Sequence, residues 1–184
     1  MKTTLSLKPA SFGTISHGTL RSEDLLNAFA NELEWQIRRN GDFLSRPENF
    51  PMRDRLNAVV NNAWECFDES GEALNPEKEE SGEVDEMVNE TLPDALSEFA
   101  PLYGYFGTHP GDGSDFGFWV EIESVKEQVE FVSSVDQEYP DDSFRGEWLH
   151  VNKRGNCTLY VRECGTCSEF ARNGAVDREV WAIV

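Results

Sequence analysis

Three groups of side chains in this sequence have types and spacings suited to chemistry. The first, His109-Pro110-Gly111-Asp112-Gly113-Ser114-Asp115, brings an imidazole and two carboxylates within seven residues. A metal ion or a general base can be built from such a set, which makes His109, Asp112 and Asp115 the candidates for a metal-dependent enzyme. Gly111 and Gly113 beside Pro110 also make a polar hairpin tip, where Asp side chains accept turn hydrogen bonds. Calcium loops need more oxygen ligands at fixed spacing than this run holds. Asp115-Phe116-Gly117 spells the metal motif of protein kinases, yet no Gly-rich loop, paired Lys or HRD accompanies it.

The second group is Cys164-Gly165-Thr166-Cys167, a C-x-x-C that can act as a redox pair or as half a zinc site. Cys157 and His150 are near enough in sequence to complete a zinc set, at a spacing that matches no common finger. A redox pair belongs at the start of a helix after a strand, whereas this one falls between two expected strands. The sequence therefore predicts reduced thiols, no metal and no cofactor.

The third group is acidic. The chain has 184 residues and a formal net charge of -19, with 35 acidic side chains against 16 basic ones. Residues 65–147 hold 24 of the acidic residues and three basic ones, Lys78, Lys126 and Arg145, while the segments on either side are each net +1. Asp68, Glu69, Glu72, Glu79, Glu80, Glu83, Asp85 and Glu86 crowd together, and Glu90, Asp94 and Glu98 follow at four-residue steps. On a regular helix, Glu86, Glu90, Asp94 and Glu98 make an anionic row rising about 6 Å per step, the same order as phosphate spacing along a DNA strand. Like charges four apart destabilise a helix by a few tenths of a kcal/mol, so such a row opposes folding.

These groups need elements to hold them. Leu25, Phe29, Leu33 and Ile37 predict a helix over about residues 20–40, capped by Thr19 or Ser22 and stopped at Gly41. Pro51 opens a second helical pattern through Leu56, Val60, Ala63 and Phe67. Residues 68–83 are too acidic and too poor in apolar side chains to order themselves, and are expected to form a loop or linker. A third, acidic helix spans residues 84–101, with a break at Pro93. From residue 102 the period changes to two, with hairpin and strand signals through Phe116, Phe118, Trp148 and Val180. The expected fold is α+β: three N-terminal helices (the part over 1–67 and the acidic helix) followed over 102–184 by an antiparallel sheet of about five strands, in one compact domain.

Aromatic content of 11% argues against a wholly disordered chain. The negative charge argues against direct nucleic-acid binding and against an anionic membrane surface. No apolar run is long enough to span a bilayer, and the first ten residues lack a signal-peptide core, so a cytoplasmic location is expected.

The stretch FGTHPGDGSDFGFW, with EWLHVNKRGNCTLYV and REVWAIV, resembles small uncharacterised acidic proteins encoded on bacterial plasmids and phages. The resemblance covers most of the chain and brings no catalytic motif. It implies a mobile-element setting, in which acidic inhibitors of host restriction or CRISPR machinery recur. The expected function is a non-enzymatic DNA mimic, anti-CRISPR or antirestriction in kind, whose acidic segment blocks the groove of a basic nucleic-acid-binding protein of the host. The alternatives are the metal-dependent enzyme above and a homodimeric interaction module.

Overall fold

The computed structural model describes residues 6–71, 73–134, 139–141, 143–164 and 175–183. Contacts divide the chain into two compact units, Met1–Trp119 and Val120–Val184. The fold is α+β.

The first unit opens with β1 (Gly13–His17) and α1 (Ser22–Arg39). Leu25, Leu26, Phe29, Ala30 and Leu33 are buried along one face of α1, as the four-residue spacing requires. Neither Thr19 nor Ser22 caps this helix. Ser22 is already its first residue, and the Thr19 hydroxyl donates to Asp24 at 2.7 Å. The helix also ends without a left-handed Gly41, because the buried Asn40 side chain does that work. Its amide donates to the Gln36 carbonyl at 3.0 Å and to the Lys8 carbonyl at 3.2 Å, and its oxygen accepts from the Lys8 N–H at 2.7 Å. Gly41 begins a single turn, α2 (Gly41–Leu44), and α3 (Phe50–Glu65) follows with Pro51 in its first turn.

The segment expected to be a loop over 68–83 contains a helix, α4 (Pro76–Ser81). Asn75 caps it by accepting from the Glu77 N–H at 3.0 Å, Pro76 sits where a missing N–H costs nothing, and Gly82 ends it at φ 83°. Local capping supplies what the sparse apolar content does not. Gly82 also starts α5 (Glu83–Glu86), which runs through a π turn (Met87–Thr91) into α6 (Leu92–Ser97). Pro93 has no N–H for the Asn89 carbonyl four residues back, and the wider π turn before it takes up that mismatch without ending the helical run. Val84, Met87, Val88, Leu92, Ala95, Leu96 and Phe99 are buried in one core with the α1 face and with Leu56, Val60 and Ala63 of α3.

The expected single antiparallel sheet is two sheets. In the first unit, β2 (Gly104–His109) and β3 (Asp112–Val120) are joined by Pro110 and Gly111 alone, and the strand order is β1-β3-β2. Phe106 and Phe118 meet at 5.2 Å and carry the sheet onto Phe29 of α1, which lies 4.9 Å edge-on to Phe106. β1 pairs antiparallel with β3 through a bulge between Thr14 and Ser16. Gly117 is required there, because a Cβ would stand 2.1 Å from the Gly13 carbonyl oxygen.

The second unit holds α7 (Ile122–Gln128), β4 (Phe131–Ser133), β5 (Gly146–Val151), β6 (Cys157–Cys164) and β7 (Ala175–Ile183), in sheet order β4-β5-β6-β7. β4 runs parallel to β5, contrary to the all-antiparallel expectation, while β5-β6 and β6-β7 are antiparallel. The connection over 134–145 is long enough for the return that a parallel pair needs. Among the described residues, no helix is long and apolar enough to cross a membrane.

Candidate functional site

Of the acidic set, Asp68 and Glu69 lie in the turn before α4, Glu98 just past α6, and the other described residues on α4, α5, the π turn and α6. Asp68, Glu69, Glu79, Glu80, Glu83, Asp85, Glu86, Glu90, Asp94 and Glu98 are all exposed, and Glu72 lies outside the described residues. Exposure follows from the apolar period, since the residues between these carboxylates fill the core. Two of the set are engaged with cations. Lys78 pairs with Glu83, which raises the lysine pKa and lowers that of the glutamate through their hydrogen bond. Arg55 of α3 donates to Glu98 at 2.6 Å. Among the described residues, Glu79, Glu80, Asp85, Glu86, Glu90 and Asp94 form no ion pair.

The row is not the uniform ladder expected. Residues four apart in an α-helix overshoot one turn, and in a π turn they fall short of it, so Glu86 and Glu90 are rotated back relative to an unbroken helix. Glu98 lies beyond the end of α6 and is held toward α3 by Arg55. Beside this surface, a cleft of about 320 Å³ is walled by Glu65, Glu83, Glu86 and Lys78, with Cys66 and Met87 in its lining. Three carboxylates against one ammonium make the cleft suited to a cationic side chain. Burial pushes the Cys66 thiol pKa up, with Lys78 opposing it, which disfavours the thiolate.

His109, Asp112 and Asp115 make turn and strand contacts, and Asp115 Oδ1 is buried without a hydrogen-bond partner among the described residues. His109 Nδ1 accepts from the Gly111 N–H at 3.0 Å, and its ring stands edge-on to Trp119 at 4.7 Å. Asp112 accepts from the Ser114 N–H at 2.9 Å and from its hydroxyl at 2.8 Å, and these bonds lower its pKa. Asp112 also stands 3.5 Å from His17 Nε2, and Asp115 accepts from the Thr14 hydroxyl at 3.3 Å. The pairing of β1 with β3, across about a hundred residues of chain, brings His17 and Thr14 here; no sequence pattern announced either.

Of the suggested zinc set, His150 and Cys157 do not converge. In the β5-β6 register, Val151 faces Cys157 and His150 faces Thr158, so His150 and Cys157 project from opposite faces of the sheet. The Cys157 thiol donates to the Gly155 carbonyl at 3.4 Å, and burial raises its pKa. Cys164 ends β6 with a side chain outside the described residues, as is Cys167. Among the described residues, no group of three or more His, Cys, Asp or Glu side chains is placed to hold a metal ion.

No family model matches this chain, and neither a curated protein nor a solved structure does.

Proposed function

We propose that the chain is a non-enzymatic inhibitor that works in the cytoplasm by presenting its acidic α4–α6 surface to the nucleic-acid groove of a basic host protein, of the restriction or CRISPR kind. The observation that carries this reading is the run of exposed carboxylates, six of which no cation of the described chain answers. A core-facing apolar stripe needs no such excess on its outer side, and the like charges cost helix stability. A partner's lysine and arginine side chains supply the missing countercharge, and the cleft at Glu65, Glu83 and Glu86 accepts one of them.

The test uses the immobilised full chain to capture protein from bacterial lysate at about 0.1 M salt, where the Debye length is about 10 Å. The expected partner is released by duplex DNA. A variant carrying Glu79→Lys, Glu86→Lys, Glu90→Lys and Asp94→Lys, folded by circular dichroism, captures none of it. Glu98 is left intact, because reversal there would set a lysine against Arg55. Equal capture by the variant overturns the proposal.

A further inference from the structure

A second groove, apart from the acidic surface, lies between β1 and α1. β1 is bonded to β3 along one side, and among the described residues no strand borders the other. Such an edge offers backbone N–H and C=O groups to an incoming extended segment. Beside it is a cavity of about 610 Å³, walled by residues 11–15 and by Ala28, Glu32, Trp35 and Gln36 of α1, with no residue of β2 or β3 in its lining. The cavity is therefore bounded by β1, the residues before it and α1, and not by β3.

Its polar wall is incompletely paired. Gln36 is 0% exposed, its Nε2 donates to Glu32 Oε1 at 2.8 Å, and its Oε1 has no hydrogen-bond partner among the described residues. Donation to the carboxylate sets the amide's orientation, since a flipped amide would bring two acceptors together. Burial raises the Glu32 pKa, while the Gln36 bond and the Arg39 charge oppose the rise. A carboxylate and a free carbonyl oxygen side by side are both acceptors. Their chemical complement is a cation with several donors in one plane, which a guanidinium is. The walls contain one carboxylate and no cation. Trp35, 47% exposed with Arg39 5.1 Å from its ring centroid, supplies an aromatic rim.

We propose that this groove binds an extended segment of another protein, added as a strand along the outer edge of β1, with an arginine side chain directed to Glu32 and Gln36. A second copy pairing through its own β1 does not supply the cation, because Gly13–His17 contains neither Arg nor Lys. The site is independent of the acidic surface.

The probe is a phage-displayed library of random heptapeptides selected against the full chain, followed by a synthetic peptide of the enriched sequence with blocked ends. Selection is expected to fix arginine at one position among alternating β-branched or aromatic residues. Replacing that arginine by glutamate should weaken binding at least about tenfold, and N-methylation of the peptide backbone should abolish it. Glu32→Gln and Gln36→Met should each weaken it by about fivefold or more at an unchanged melting temperature. Should Gln36→Met fail to fold, Glu32→Gln with the peptide's Arg→Glu series carries the test. The α4–α6 lysine variant should bind the peptide as well as the parent chain does, and amide shifts should fall on residues 13–17 and the Trp35 indole. No common arginine position, equal binding by Glu32→Gln, or shifts confined to α4–α6 would overturn the proposal. A dimer broken by Thr14→Pro would do so too, since it would put a second copy on that edge.

Discussion

In the second unit, Arg162 on β6 is 9% exposed and its charge is answered on every side. It donates twice to Asp177 of β7 at 2.7 Å, and to the carbonyls of Pro140 at 2.6 Å and Asp141 at 2.9 Å. Trp148 Nε1 donates to the same Asp177 at 3.0 Å, and Tyr160 stacks on the Trp148 ring at 4.7 Å. In the first unit, α4–α6 place carboxylate after carboxylate in solvent and answer two of them, Glu83 and Glu98, with Lys78 and Arg55. The same chain thus satisfies a charge where it is buried and leaves many unsatisfied where they face water. Desolvation explains the first, since a buried guanidinium without partners costs several kcal/mol. It demands nothing of the second, so the excess on α4–α6 is free to serve a partner.

Removing one charge from each region should affect the two very differently. Asp177→Ala strands Arg162 and should destabilise the chain by about 3 kcal/mol in urea unfolding, the low end for a buried pair because Asp177 is itself partly exposed. Glu90→Ala should stay within about 0.5 kcal/mol of the parent. Equal effects would mean that the two regions do not differ as argued. The Arg162 bonds lower the Asp177 pKa, with the Trp148 bond adding to that and burial opposing it. A depressed folded-state value means that this stabilisation is present above the unfolded carboxylate pKa, about 3.9, and is lost as pH falls through the folded one. The pH dependence of unfolding below about pH 4 should therefore be shallower in Asp177→Ala.

Gly117→Ala comes next, because its Cβ would collide with the Gly13 carbonyl and force β1 from β3. A loss of about 1–3 kcal/mol is expected, with arginine-peptide binding weakened in step. Removal of the α4 cap by Asn75→Ala should cost about 1 kcal/mol and loosen the amides of residues 77–81 in hydrogen exchange, while leaving the second unit unchanged. The smallest effect has the opposite sign. Glu90→Gln with Asp94→Asn relieves like-charge repulsion and should raise stability by a few tenths of a kcal/mol while weakening partner capture. A variant that gains both would show that the carboxylates serve no partner.

Much of the helical core was legible in the sequence, because a four-residue apolar period has one solution: Leu25, Phe29 and Leu33 inward on α1. The β2-β3 hairpin was legible for a similar reason, since Pro110 and Gly111 sit between two alternating runs. The α4 helix was obscured by its acidic composition, although Asn75-Pro76 and Gly82 are start and stop signals in plain view. Composition measures how much a segment can bury; it does not weigh a capped turn. Long-range pairing had no local signal, which is why β1 on β3 and the parallel β4 on β5 were not anticipated. The acidic surface could be counted from the sequence, but the π turn that rotates Glu86 against Glu90 could not. Gln36, polar on an otherwise apolar stripe, was the one trace of the β1–α1 groove.

If the α4–α6 carboxylates and nucleic acid compete for one groove, equilibrium competition will show it. The partner captured from lysate is bound to a fluorescein-labelled duplex, and the chain is titrated in at two salt concentrations. The chain should displace the duplex one for one, its apparent affinity should fall steeply with salt, and the four-lysine variant should displace none. A ternary complex in which the duplex stays bound, or displacement by the variant at unchanged affinity, would contradict such competition.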